Sequence, residues 1–324
     1  MKAIQFNAWL GEISRLSRGQ RARLWAELER KTRVDETVGV LETAGPEWAA
    51  CPHCGDTRVG LWGRSGGLQR YRCGGCRRTY NALTGTPLAR LRHKEKWLEY
   101  EQALIDGLSI RQAAVRCGVA KNTSFKWRHR FLHRPAQQKS TQMQGVAEAD
   151  ETFFIESFKG KRHLARKPRR RGGTGAKRSL EVRRIPVLVV RDRHGATADF
   201  QLSGVGMAQM EPVLQPLLAP DVILCTDGAS AYALVARHLG LAHHAVNPGR
   251  GFRTQGPYHI QNVNAYDSRL KGWMQRFHGV ATRYLENYLG WRRLLEYFGK
   301  TIQPTDCLRA ALSKERPFQQ PSAT

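Results

Sequence analysis

The chain lacks any apolar run long enough to cross a bilayer. Its longest unbroken apolar runs, such as residues 185–190, are far shorter than the roughly 20 residues that a transmembrane helix needs. The first thirty residues carry arginines within a helical pattern and lack the apolar core of a secretory signal. We therefore expect neither a membrane protein nor a secreted one.

Acidic residues are scarce relative to basic ones. The 324 residues include 53 Lys and Arg but only 27 Asp and Glu, which gives a formal net charge of +26. An excess of this size repels itself in a compact fold unless it meets a polyanion. The hydrophobic share of 41% is ordinary for a chain with buried cores, so a disordered basic tail is not expected. The charge favours nucleic acid as the partner, with an acidic membrane face as the alternative.

The cysteine count is odd, which argues against a disulfide scaffold. Four of the seven cysteines form the pairs Cys51-x-x-Cys54 and Cys73-x-x-Cys76, with 18 residues between the pairs. This spacing is typical of a zinc ribbon, in which four thiolates close a tetrahedral structural Zn²⁺ site with no open position for chemistry. The metal would stabilise a segment too small to fold by burial alone. Two disulfides or free thiols are the alternatives.

A helix-turn-helix pattern follows the ribbon. We expect Ser109 to cap a helix over 110–117, Gly118 to supply a turn, and a second helix to cover 122–132. The second helix and the residue before it carry four basic residues, Lys121, Lys126, Arg128 and Arg130. This pattern is typical of a DNA-binding helix-turn-helix. A helical hairpin with a solvated charged face is the alternative.

Residues 159–184 form a strongly basic insertion. They contain twelve Lys and Arg, among them Arg169, Arg170 and Arg171, and a single acidic residue, Glu181. A segment this basic and rich in glycine is expected to order only when it meets an anion. We predict contacts with a nucleic-acid phosphate backbone, and a solvated run of charge is the alternative.

From about residue 145 strands alternate with helices, which predicts a mixed α/β domain. Asp150 lies on a predicted strand over 146–155, and Asp227 directly follows an apolar strand over 222–226. Two carboxylates on neighbouring strands are a standard way to bind two divalent ions for phosphodiester chemistry. Either residue alone could instead form a turn or cap a helix, and spacing by itself leaves both interpretations open.

The ribbon, the Thr-Gly-Thr-Pro segment 84–87, the helix-turn-helix and the two aspartates together resemble a bacterial insertion-sequence transposase. The group in question carries a zinc ribbon ahead of a DDE-type, RNase H-like catalytic domain, the fold shared with retroviral integrases. The resemblance covers about 49–298. It implies that Asp150, in an Asp-Glu-Thr sequence, and Asp227, in an Asp-Gly pair, are the first two catalytic acids.

The third metal ligand of that family lies on a helix about 35 residues after the second acid. It stands in a His-x-Asn-x-x-Glu stretch, with a basic residue seven positions further on. Here Asn264 takes the place of the glutamate, 37 positions after Asp227, and Lys271 is the basic residue. Asn offers Mg²⁺ a carbonyl oxygen but no charge. Asp267, one helical turn on, is the alternative third ligand, and we favour Asn264.

The resemblance implies a DNA transposase that depends on Mg²⁺ or Mn²⁺, with two ions held by Asp150, Asp227 and Asn264. Such an enzyme cleaves the ends of its element and transfers the freed 3′-OH to target DNA. Lys271 would contact DNA phosphate. A catalytically inactive DNA-binding protein, either a decayed transposase or a regulator, is the alternative, because the ribbon and the helix-turn-helix would survive a loss of catalysis. An RNA-processing nuclease of the same fold has no evident need for either.

The implied partners are DNA, as terminal inverted repeats and as target, and further copies of the chain in a homodimer or a larger assembly. The implied location is the bacterial cytoplasm, in association with the nucleoid. The expected fold class is multidomain α+β. Its expected parts are an N-terminal helical segment (1–48), the zinc ribbon (49–90), the helix-turn-helix domain (91–134), a mixed α/β RNase H-like catalytic domain (145–300) that carries the basic insertion, and a tail (301–324).

Overall fold

The computed structural model describes residues 2–44, 50–164, 183–246, 254 and 256–313. The chain divides into two compact units. The first takes its residues from 1–120 and 303–312, and the second is built from 121–302. No helix in the described part of the chain is both long and apolar enough to span a membrane.

The helices and strands follow one another in a mixed order along the chain. As far as residue 120 they are α1 (Ala3–Glu12), α2 (Arg18–Ala44), β1 (Val59–Ser65), β2 (Leu68–Cys73), β3 (Thr79–Tyr80), α3 (Trp97–Ile105) and α4 (Ile110–Arg116). After it come α5 (Lys121–Phe131), α6 (His133–Gln137), β4 (Val146–Ile155), β5 (Arg184–Asp192), β6 (Thr197–Gln201), α7 (Met207–Leu214), β7 (Ile223–Thr226), α8 (Ser230–Leu239), β8 (Ala242–Ala245), α9 (Gln261–Gln275), α10 (Leu285–Phe298) and α11 (Pro304–Leu312).

The predicted cap of α4 is confirmed. The Ser109 hydroxyl accepts a hydrogen bond from the N–H of Gln112, and the Gln112 side chain accepts one from the N–H of Ser109, which together form a capping box. Gly118 follows with a φ of 55°, in the left-handed region that a turn needs and that glycine adopts without strain. The two units divide between Ala120 and Lys121, so the two helices of the predicted helix-turn-helix belong to different units.

Part of the predicted tail is an ordered helix. Residues of α11 at helical spacing, Cys307, Leu308, Ala311 and Leu312, are buried, and α11 packs on α2 and α3 within the first unit. The prediction of a tail from 301 is therefore wrong for these residues. The helix α11 forms because an apolar face spaced by three and four residues stabilises a helix when that face is buried.

The ribbon is a small antiparallel sheet in the order β1-β2-β3, with the cysteine pairs in the turns beside it. The Sγ atoms of Cys51 and Cys76 are 3.7 Å apart, and those of Cys54 and Cys73 are 3.6 Å apart. All four ligand atoms lie within 4.8 Å of one another. Zn–S bonds of about 2.3 Å in a tetrahedron require sulfur separations of about 3.8 Å. The cluster therefore fits a single metal ion such as zinc, as the zinc ribbon prediction requires.

Backbone amides favour the metal-binding form of the cysteines. The N–H of His53 points at Cys51 Sγ and that of Cys76 at Cys73 Sγ, both at 3.4 Å. The Cys76 amide is the main reason that the pKa of the Cys73 thiol falls to about 7. A thiolate is the form that binds a metal, so this lowered pKa favours binding through Cys73, whereas burial and the neighbouring thiols raise the pKa of Cys76 to about 11. The apolar cluster around it is small, with Cys51, Cys73 and Tyr80 as its buried members.

The second unit holds a five-stranded sheet in the order β6-β5-β4-β7-β8. The first three strands are antiparallel, whereas β7 and β8 run parallel to β4 and to each other. Alternate residues of β4 face opposite sides of the sheet. Ala147 and Ala149 face the apolar core built with α7 and α8, while Glu148 contacts α9 on the other side. This architecture confirms the expected mixed α/β fold class.

A buried ion pair joins the sheet to α10. Arg293 donates to the Asp199 carboxylate on β6 and to the carbonyl oxygens of Pro135 and Ala136 at the end of α6. Both charged side chains are almost fully buried, at 3% and 1% exposure. Gly290 allows this approach, since a Cβ atom there would lie 2.5 Å from the Ala136 backbone.

Replacing Cys73 with Ser tests the ribbon. The Cys73→Ser variant is expected to fall from about one bound Zn²⁺ per chain to about none, because three ligands and a neutral hydroxyl cannot close the tetrahedral site. Elemental analysis of the purified protein measures this. Cys117→Ser is the matched control, because Cys117 is buried in the same unit but stands outside the cluster. Full zinc content in Cys73→Ser would contradict the site.

Candidate active site

Asp150 lies on β4, and Asp227 directly follows β7, the parallel neighbour of β4. In the β4–β7 ladder Glu148 is paired with Cys225, and two further residues along both strands bring Asp150 level with Asp227. Adjacent strands are about 4.8 Å apart, so the two residues start from neighbouring backbone positions. Asp227 directly follows the carboxyl end of β7, and Asp150 lies in the middle of β4, level with that end, near which α/β sheets bind ligands.

The local turn explains the Asp-Gly pair. One oxygen of the Asp227 carboxylate accepts the N–H of Ala229 at 2.9 Å, which closes the turn into α8. Gly228 has a φ of 86°, and a Cβ atom there would lie 3.1 Å from the Cβ of Ala245 on β8. Asp227 is therefore a turn former, as the alternative interpretation held, and the second carboxylate oxygen is left for other partners.

The carboxylates affect one another electrostatically. Burial raises the pKa of Asp150, the charge of Asp227 raises it further, and the charge of Lys271 lowers it. Burial also raises the pKa of Glu151 to about 7, with the charges of Asp150 and Asp227 adding to the shift. Both effects disfavour the charged form of an acid. A divalent cation would relieve this repulsion, and carboxylate oxygens are the ligands that Mg²⁺ prefers.

Helix α9 carries the candidate third ligand. Asn264 lies in its first turn and is exposed, while Asp267 is buried, and Lys271 two turns on is exposed. Spacings of three and four residues put these side chains on one stripe of the helix. The charges of Asp150 and Lys271 both act on the Asp267 carboxyl, so this stripe lies beside β4.

Hydrogen bonds compensate poorly for the burial of the Asp267 carboxyl group. Its side chain is 5% exposed, and burial is the main reason that its pKa rises to about 7. Its Oδ1 atom has no hydrogen-bond partner within the described part of the chain. Among the described residues, the four ribbon cysteines are the group whose ligand atoms all lie within 4.8 Å of one another. The acids of the candidate active site are therefore spaced more widely than the cysteines of the ribbon.

Glu148 is an active-site neighbour that sequence reasoning missed. It lies two residues before Asp150 on the same face of β4 and is fully buried. Its carboxylate accepts hydrogen bonds from the start of α9, including the N–H of Asn262 at 2.8 Å. A polar residue in an alternating strand normally predicts a solvent-facing position, so the local pattern gave no signal of burial.

The predicted DNA-binding residues fall into three groups. Lys121, Lys126, Arg130 and Lys271 have exposed or partly exposed side chains. Arg128 is fully buried, with its guanidinium 4.9 Å from the ring centre of Trp291 on α10. The prediction that Arg128 contacts DNA is wrong, because it belongs to the inward face of α5. The three arginines 169–171 lie outside the described residues.

Comparison with known proteins identifies the second unit. Residues 142–292 match the family model of the ISXO2-like transposase domain. A protein of Halobacterium salinarum, described as an uncharacterized protein in transposable element ISH50, is 26% identical over 266 residues, which cover 80% of this chain and 90% of that protein.

A solved structure is also similar. The crystal structure of a pre-cleavage Mos1 transpososome is 16% identical and covers 65% of this chain and 73% of its own, but its TM-score of 0.28 is too low to indicate a common fold. The family match, in contrast, includes β4, β7 and α9, the three elements that carry the candidate ligands. Residues 142–292 are therefore similar to the ISXO2-like transposase domain, and most of the chain is similar to a protein of a transposable element.

Proposed function

We propose that this protein is a transposase that binds the ends of a mobile DNA element, cleaves them and joins the freed 3′ ends to target DNA by metal-dependent phosphoryl transfer. The observation that carries the proposal is the electrostatic coupling of Asp150 on β4 with Asp227, which directly follows the parallel neighbour β7. Two acids so arranged on adjacent elements of a sheet are suited to hold divalent cations against a phosphodiester.

Asp150, Asp227 and Asn264 would hold Mg²⁺ or Mn²⁺ through two carboxylates and one carboxamide oxygen. When bound, two such ions activate the attacking oxygen and stabilise the leaving oxygen of an in-line displacement. The fit rests on the donor set, which is all oxygen, and on the charge of Asp227, which adds to the rise that burial causes in the pKa of Asp150. The four ribbon cysteines would hold Zn²⁺, which suits thiolates.

The remaining residues of the site would position the DNA. Lys271 is exposed on the stripe of α9 that faces the acids, where its ammonium group can reach a phosphate next to the scissile bond. Lys121 and Lys126 lie on the exposed face of α5 and would contact the backbone elsewhere. We propose that the helix-turn-helix and ribbon bind the element ends, with two or more copies of the chain assembled on DNA.

Asn264 rather than Asp267 is proposed as the third ligand. Asn264 is exposed at the edge of the site, where an ion and DNA can approach. Asp267 lies inside, where burial favours its neutral form, and a neutral carboxylic acid is a poor ligand. The weaker, uncharged ligand also favours the second candidate function, a DNA-binding protein without cleavage activity.

The acids are tested by cleavage of a duplex carrying the element ends, with Mg²⁺ or Mn²⁺. Asp150→Asn and Asp227→Asn are each expected to lower the rate by more than the roughly 100-fold that loss of an outer-shell partner of a metal ligand costs. Asp221→Asn is the matched control, since Asp221 is an exposed acid just before β7, at the end opposite Asp227. Binding without cleavage by every protein, wild type included, would favour the inactive alternative.

The third ligand is tested in the same assay. Asn264→Ala should abolish metal-dependent cleavage, whereas Asp267→Asn should retain it, because an amide resembles the neutral acid that burial favours. The opposite pattern would make Asp267 the ligand.

Asp267 also predicts a pH-dependent stability. Its pKa of about 7 in the folded protein exceeds its ordinary 3.8, so the folded state retains a proton that the unfolded chain releases. This group therefore makes the protein less stable as the pH rises from about 4 to about 7. Asp267→Asn should remove that loss and be the more stable protein at pH 8 in Mg²⁺-free buffer. Urea unfolding at pH 5 and pH 8 measures the difference, and equal pH dependence in both proteins would contradict it.

The salt dependence of DNA binding tests the basic face of α5. Lys121→Ala and Lys126→Ala should each reduce the slope of log affinity against log salt by about 0.9, because each lysine would neutralise one phosphate. Lys300→Ala is the control, as Lys300 is an exposed lysine after α10 that has no proposed role. Unchanged slopes for both α5 variants would exclude this face from the DNA contact.

A further inference from the structure

We propose that Glu148 is a positioning residue of the transposase, whose buried carboxylate fixes the N-terminus of α9 to β4. It thereby sets the place of Asn264 relative to Asp150. The inference rests on the proposed function, because it assigns to Glu148 a role toward the metal ligands of that function.

One oxygen of Glu148 caps the helix. Oε2 accepts the backbone N–H groups of Asn262 at 2.8 Å and Val263 at 3.0 Å. These amides belong to the first turn, where the helix itself supplies no acceptor. The residue at the cap position is Ile260, whose side chain cannot accept a hydrogen bond. A strand residue distant in sequence supplies the missing acceptor, together with the negative charge that a helix N-terminus favours.

The other oxygen of Glu148 binds side chains. Oε1 lies 2.9 Å from Asn262 Nδ2, 3.1 Å from Arg193 Nε and 3.3 Å from His259 Nδ1. Each of these groups can donate a hydrogen bond, so the carboxylate is surrounded by donors. Such a site satisfies a buried carboxylate and leaves it unsuited to bind a cation directly. Glu148 is therefore a support for metal ligands and not a ligand.

Arg193 extends the clamp to the segment before α9. Its guanidinium lies 2.8 Å from His259 Nε2 and donates to the carbonyl oxygen of Pro257 at 3.0 Å. His259 Nδ1 lies near Glu148 Oε1 and also faces the backbone N–H of Gln261 at 3.3 Å, so the imidazole packs between the carboxylate, Arg193 and the start of α9. The approach to α9 and its first turn are thus held by the same carboxylate.

The spacing along strand and helix links this clamp to the ligands. Glu148 and Asp150 are two residues apart on a strand, which is about 6.7 Å. A helix rises about 1.5 Å per residue, so the same distance spans four to five residues of α9. Measured along α9 from Asn262, this distance ends near Asp267. In agreement, the charge of Asp150 acts on the Asp267 carboxyl. Asn264 falls between the clamp and Asp150, so a slip of α9 by one residue would displace it by about 1.5 Å.

Displacements of this size matter for a metal site. Misplacing a reacting group by about 1 Å can lower a rate by about 100-fold. Supporting residues of a metal ligand commonly change metal affinity by 10- to 100-fold, as order-of-magnitude values. The proposed role therefore has a measurable consequence in metal binding alone, without DNA or catalysis.

The test compares Glu148→Gln with Asp199→Asn. Gln keeps the size of the side chain but turns one acceptor atom into a donor that faces other donors. Asp199 is also fully buried on a strand of the same sheet and paired with an arginine, yet its partner Arg293 lies on α10. Both variants lose a buried carboxylate, but only Glu148→Gln is expected to loosen α9. Arg193→Gln, which removes one donor to Glu148, should give a smaller change in the same direction.

Two measurements are made on each protein. Hydrogen exchange followed by mass spectrometry over residues 259–266 should be about 10-fold or more faster in Glu148→Gln and unchanged in Asp199→Asn. Titration with Mn²⁺, followed by electron paramagnetic resonance, should show the Kd of Glu148→Gln raised by about 10- to 100-fold, with that of Asp199→Asn at the wild-type value.

The outcomes separate the inference from the proposed function. Faster exchange without a change in Mn²⁺ affinity would make Glu148 a helix cap alone and overturn the positioning role. Unchanged exchange would overturn the clamp itself. Equal loss of Mn²⁺ affinity in Asp199→Asn would attribute the effect to general destabilisation and also overturn the inference. Wild-type protein that binds no Mn²⁺ would refute the proposed function, and the positioning role with it, while the exchange result would still decide whether the clamp exists.

Discussion

The candidate active site of the second unit requires the sheet to hold two acidic side chains close to each other. Asp150 and Asp227 meet because β4 and β7 are parallel neighbours in register, so the repulsion between them is overcome by the sheet itself. The strands are anchored by fully buried residues such as Ala147, Ala149 and Leu224. Acids that repel each other in the folded state are an unfavourable arrangement for stability, and such arrangements are typical of functional sites.

The acids of the candidate active site stand out against the basic composition of the chain. A chain with 53 basic and only 27 acidic residues nevertheless places Glu148, Asp150 and Glu151 within four positions of one strand, and Asp227 on the next. The acids differ in how they are compensated. Glu148 has Arg193 and several hydrogen-bond donors, whereas Asp150 and Asp227 each accept one backbone N–H, and the charge of Lys271 acts on Asp150. The acid with more donors holds the start of α9, whereas the other two are the acids that we propose to bind a cation.

The sequence predicted local features better than it predicted which side chains are buried. The ribbon follows from cysteine spacing and the cap of α4 from Ser109, because both depend on a few adjacent residues. The burial of Arg128 did not follow, since it depends on Trp291 and Phe277, which come about 150 residues later. Glu148 was missed for the same reason, as its partners lie on α9 and beside β5. Asp150 and Asp227 were predicted through a family resemblance, and their register came from the fold.

The two proposed metal sites would discriminate between ions through ligand chemistry. The ribbon offers four sulfur atoms at separations that suit a tetrahedral ion, and soft thiolates select zinc over magnesium. The candidate active site offers carboxylate and amide oxygen atoms, and its carboxylates are spaced more widely than the four sulfur atoms. Hard oxygen ligands suit Mg²⁺ or Mn²⁺. A closed sulfur site holds its ion permanently, whereas an open oxygen site leaves positions for substrate. The proposed third ligand, Asn264, fits this division, because a ligand without charge binds the ion less tightly than a carboxylate does.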